Sequence, residues 1–148
     1  MNKRQKAILR NLTTVLLATV IMVAGMINFK DWVNRSEAMR AMDQLGQVIL
    51  EYRKERGAVP SQSYVYSIIE ELQGSVRLGK PKYRALWIDF ESTPDEILAY
   101  TEKNYVSLLG KGFIVLRLDG RVEWMKKQEF ERLLAQQQSP DEIEMTDN

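Results

Sequence analysis

Cysteine and histidine are both missing from the chain, and together the two absences remove most side-chain catalysts. Without Cys there is no disulfide and no thiol chemistry, although this says nothing about the compartment. Without His the commonest general base and the commonest transition-metal ligand are gone. Ser–His–Asp and Cys–His catalysis are excluded, as are nearly all zinc sites. An enzyme would have to work through carboxylate, Lys or Tyr groups. A non-catalytic protein with no cofactor and no metal site is therefore expected.

Acid is missing from one end and base from the other. The first acidic residue is Asp31, whereas Lys3, Arg4, Lys6 and Arg10 crowd the basic tip at 1–11. The last ten residues hold Asp141, Glu142, Glu144 and Asp147 and no base. The stretch 139–148 is expected to be a disordered acidic tail. The formal charge sums to only +1, which gives no bulk electrostatic reason to expect a nucleic-acid partner.

Between Arg10 and Lys30 there is no charge at all. The segment 12–29, Leu12 to Phe29, is about eighteen residues long, the lower range for crossing a bilayer as a helix. Thr13, Thr14 and Thr19 are tolerable there because their hydroxyls can bond back to helix carbonyls. Lys30 and Trp32 suit the far interface, and the basic tip places the N-terminus in the cytoplasm. The rival reading is a cleaved signal peptide with a small-residue site at Val23-Ala24-Gly25. The apolar run continues past that site, which argues for a retained anchor.

Residues 30–138 are long enough for one small domain. Ala38, Ala41/Met42, Leu45, Val48/Ile49 and Tyr52 recur at helical spacing, so Ser36–Arg56 reads as an amphipathic helix. No Pro or Gly separates it from the apolar segment, and a fused rod on the order of 65 Å is expected. Gly57 suits a C-cap and Pro60 blocks continuation. A second helix is expected over Tyr64–Leu72, and strands over Ala85–Phe90 and Ile97–Tyr100. Two apolar runs flank Asp119-Gly120, the cue for a two-residue hairpin turn. That register pairs Val115 with Trp124 and puts Phe113, Val115, Val122 and Trp124 on the deeper face. A last helix, from Lys126 to about Gln137, carries Phe130, Leu133 and Leu134 on one stripe.

An apolar N-terminal helix running into an amphipathic one, followed by a small antiparallel sheet, resembles type IV pilins and the pseudopilins of type II secretion. Ile97-Leu-Ala-Tyr100, Gly112-Phe-Ile-Val-Leu116, Asp119-Gly120-Arg121-Val122-Glu123 and a following helix are similar to pilin-like proteins with a C-terminal Asp-Gly-His-Val-Glu motif. The resemblance implies a pilin-like α+β fold, with the first helix packed on the sheet and a short C-terminal helix. It further implies a structural role in a cell-envelope or secretion-type assembly. Prepilins are processed at a Gly before the hydrophobic helix, with a Glu shortly after. Neither residue is present here, so the anchor is expected to stay attached.

Asp89, Glu91, Asp95 and Glu96 form the densest acidic group of the folded region, and are expected to shape turns rather than hold Ca²⁺. Asp119 and Gly120 are expected to be structural turn residues. Arg77, Lys80, Lys82 and Arg84, around Gly79-Pro81, form a basic loop: a possible anion or partner contact, or a solvated connector. Two functions follow. The first is a single-pass protein of the bacterial inner membrane, held in lipid by residues 12–29, with an extracytoplasmic domain that works through protein partners. The second is a tethered binding module that offers loop 77–84 to lipid, glycan or peptide.

Overall fold

The computed structural model describes residues 2–146. Helix α1 (Lys3–Arg56) is a single unbroken helix of 54 residues, about 80 Å at 1.5 Å per residue. No proline interrupts it, and Gly57 ends it in the left-handed conformation, with its N–H donated to Arg53. Residues up to Ile27 are exposed, whereas Ala38, Ala41, Met42, Leu45, Gly46 and Ile49 are buried on one stripe. The stripe follows the predicted helical spacing, with Gly46 added. A Cβ on Gly46 would stand 2.7 Å from Leu116 Cδ1, so the missing side chain lets helix and sheet approach closely.

Helix α2 (Gln62–Ile69) begins at Ser61, whose hydroxyl accepts the Tyr64 N–H, and α3 (Ser75–Leu78) is a single turn. The sheet is antiparallel and four-stranded in the order β1 (Lys82–Tyr83), β2 (Ile97–Asn104), β3 (Lys111–Arg117) and β4 (Val122–Lys126). Helix α4 (Lys127–Gln137) covers the sheet face opposite α1, and α5 (Pro140–Thr146) follows. The fold is thus α+β, with a long apolar N-terminal helix, as its sequence pattern predicts. The sheet has two cores. One joins α1 to Leu98, Ile114 and Leu116; the other joins α4 to Tyr100, Phe113, Val115 and Met125. In the second, the Phe113 and Phe130 rings stack at 3.9 Å.

Three expectations are corrected. First, the hairpin loop has three residues, not two. Leu116 pairs with Val122 and Ile114 with Trp124, and the Arg117 N–H is donated to Arg121 O across Leu118-Asp119-Gly120. Only Gly120 has positive φ, +91°, and its N–H returns to Arg117 O, as in a type I turn with a bulge. A one-residue slip turns the side chains of one strand over relative to the other. The face against α1 therefore carries Ile114, Leu116, Val122 and Trp124, while Phe113 and Val115 look toward α4.

Second, Ala85–Phe90 is no strand. Pairing stops at Tyr83, and Ala85–Trp87 winds into one 3₁₀ turn closed by Trp87 N–H to Arg84 O. Of the apolar residues in Ala85–Phe90, Ala85 and Ile88 pack against the α1 core, while Leu86 and Phe90 are exposed, so the composition does not report an extended backbone here. Third, residues 140–146 of the expected disordered tail are helical, with Glu142 buried. Ser139 accepts the Glu142 N–H, and Pro140 opens the first turn. Asp147 and Asn148 lie outside the described residues.

The turn itself is testable. Valine at Gly120 would be forced into positive φ, with its Cβ 2.6 Å from Leu50 Cδ1. Gly120→Val should cost about 1–3 kcal/mol for the backbone alone. Urea unfolding of the detergent-solubilised chain measures it, and an unchanged midpoint would contradict this turn geometry.

Candidate functional site

Two surfaces carry chemistry that sequence reasoning singled out, and the fold adds a third. The first is the apolar half of α1. Among the described residues this is the one helix long and apolar enough to cross a membrane. Its large side chains, Leu12, Leu16, Val20 and Met26 among them, are all exposed. Thr13, Thr14 and Thr19 donate their hydroxyls to carbonyls four residues back at 2.9 Å, which leaves no unpaired polar group on the side-chain surface there.

The second is the basic loop, which does not form one cluster. Arg77 lies on α3 and faces Glu37 of α1 at 3.6 Å. Lys80 Nζ stands 4.3 Å from the centre of the Tyr66 ring. Lys82 is exposed on β1 and shares with Lys80 the lining of an open cleft of about 420 Å³, together with Tyr100, Phe113, Phe130 and Ile143. Arg84 is corrected outright: it is 4% exposed and its guanidinium is committed inside the protein. It donates two bonds to Glu142, at 2.6 and 2.8 Å, and others to Ile97 O and Gln137 O. Arg84 thus ties α4 and α5 to the sheet and is closed to an outside anion.

The acidic group likewise disperses into turns. Asp89 Oδ1 accepts the N–H groups of Glu91 and Ser92, and Glu96 accepts the Thr93 N–H. Asp95 pairs with Arg121. Asp119 accepts the Arg121 N–H and guanidinium. Desolvation raises its pKa; the Arg121 bonds and charge, then the Arg117 charge, outweigh this and hold the carboxyl below its usual value. Asp119 and Gly120 sit where the sequence places them, at the turn.

The third surface was not anticipated. Loop 105–110 between β2 and β3 lies against α1 where the uncharged run ends. Asp31, buried, accepts the Ser107 N–H at 2.8 Å, and Asn28 Oδ1 accepts the Leu108 N–H at 3.4 Å. Beside them Tyr105 packs on Trp124, and the Arg35 guanidinium lies over the Trp124 ring at 5.9 Å. Burial pushes the Tyr105 phenol up; Arg35 opposes the shift and Asp31 adds to it. The sequence holds one signal for this junction: an acid directly after Lys30, at a level where bases suit the interface better. Glu142 had a signal as well, the Ser139-Pro140 helix start.

The chain matches no protein-family model, no curated protein and no solved structure.

Proposed function

We propose that the protein is a single-pass, membrane-anchored structural or interaction protein of pilin-like design, non-catalytic, working through protein contacts in a bacterial envelope or secretion-type assembly. The observation that carries this is the division of α1. The apolar part is uncovered as far as Ile27, and the C-terminal part packs into the core of the domain. An exposed apolar helix of that length has a natural solvent in lipid. The basic tip and the mixed flank beyond Phe29 orient it with the N-terminus in the cytoplasm and the domain in the periplasm or outside. With Arg77 turned to Glu37 and Arg84 locked internally, only Lys80 and Lys82 of the basic loop share a cleft, which weakens the rival reading of a binding module built on residues 77–84.

Membranes from a bacterial host producing the whole chain provide the test. The protein should resist alkaline extraction, and protease admitted only to the periplasm should remove the domain. Mass spectrometry should find residues 12–29 still attached. Photo-crosslinking from exposed positions on the domain should then trap protein neighbours. Release by alkali, or full protection of the domain, would overturn the anchor or its orientation. Trapping of lipid alone would remove the assembly role.

A further inference from the structure

The geometry points to a second membrane contact: loop 105–110 seats Val106 and Leu108 in the surface of the same leaflet from which α1 emerges. This rests on the reading of α1 as a membrane anchor. Leu108 is 96% exposed and Val106 88%, and both project from a loop that has no charge from Tyr105 to Gly110. The loop is closed on itself by Tyr105 N–H to Gly110 O and Gly110 N–H to Ser107 O, so the two side chains are presented on a defined turn.

What fixes the occupant is depth. Leu108 is bonded to Asn28 and Ser107 to Asp31, the positions on either side of the end of the uncharged run at Phe29. The loop therefore stands at the level of the headgroup and acyl boundary, where apolar side chains of a peripheral segment sink about 5–10 Å. Neighbouring faces of α1 at that level show the matching chemistry. Phe29 and Trp32 are both exposed and stack at 6.2 Å, a pair suited to an interfacial aromatic belt. Lys30, next to Phe29 on the helix, and Lys111, next to Gly110 at the start of β3, are exposed as well and suited to lipid phosphates. The far end of the sheet, with Asp119, Gly120 and Arg121 beside Leu50, carries charge instead. Phe90, exposed near Arg53 and Asp89 at that far end, is the apolar side chain against which the loop is compared. The Asn28 and Asp31 bonds make the anchor and the loop one rigid footing.

Because the chain has no cysteine, single labels report cleanly. Full-length Leu108→Cys, Val106→Cys, Phe90→Cys and Val20→Cys each carry a polarity-sensitive fluorophore in vesicles of phosphatidylcholine and phosphatidylglycerol. Labels at 106 and 108 should shift to the blue and be quenched severalfold more by lipids spin-labelled near the headgroup than the label at 90. The label at 20 should respond to quenchers deep in the acyl chains. Quenching at 20 without quenching at 106 or 108 overturns the loop contact and leaves the anchor standing. Labels at 106 and 108 shielded from aqueous iodide but untouched by spin-labelled lipid would mean that protein covers the loop, and would also overturn it. No lipid quenching at 20 defeats the anchor reading and the loop contact together.

Discussion

Ile49→Ala should destabilise the protein by about 2–5 kcal/mol, the usual loss when a buried branched side chain is cut back and a cavity remains. Ile49 is fully buried in the cluster that joins α1 to Ile114 and Leu116, so its side chain has no route to relax into water. Glu51, two residues on and exposed, provides the control, and Glu51→Ala should stay within about 0.5 kcal/mol of the parent. Leu116→Ala should be similarly costly. The double variant should depart from additivity by about 0.5–3 kcal/mol, as residues sharing one core do. Urea titration in detergent, followed by Trp fluorescence, gives all four values. If Ile49→Ala left stability unchanged, the α1 stripe would belong to a partner helix and not to this sheet.

Breaking the Arg84–Glu142 pair should have the second large effect. Both side chains are about 95% buried and share two hydrogen bonds. Removing one partner of a buried pair usually costs about 3–5 kcal/mol, because the other charge is left in a poor solvent. Glu142→Ala should approach this figure only if α5 stays in place. Lifting α5 lets water reach the guanidinium, so the observed loss should be smaller and concentrated at the C-terminus. Hydrogen exchange over 138–146 should accelerate well beyond that of β2 and β3. Arg84→Met should also free α5, while leaving Ile97 O and Gln137 O without their donor. Unchanged exchange in both variants would show that α5 is held by something other than this pair.

The helical stripe of α1, the strand at Ile97–Tyr100 and the turn at Asp119-Gly120 were all readable from spacing and turn chemistry. The register of the hairpin was not, and the reason lies in β3. Phe113, Ile114, Val115 and Leu116 are all apolar because the sheet is covered on both faces, so alternation carries no information about which face is inner. Asp-Gly is compatible with both loop lengths, and only the pairing partner of Arg117 distinguishes them. Arg84 was misread for a different reason. Its neighbours at 77, 80 and 82 are solvated, and the carboxylate that draws it inward is 58 residues away. Asp31 was read only as the first acid of the chain, when its partner is a loop 76 residues downstream. Local sequence describes local chemistry well, and all three misreadings concern partners chosen by the fold.

The absence of any joint in α1 has a mechanical consequence. A continuous helix is stiff in torsion as well as in bending, so its two halves share one rotational phase. Each residue advances the azimuth by about 100°. Whatever grips the N-terminal half therefore also sets the compass bearing of the sheet. A twist or tilt imposed at one end arrives at the other as a turn of the whole domain, with no hinge in between to absorb it.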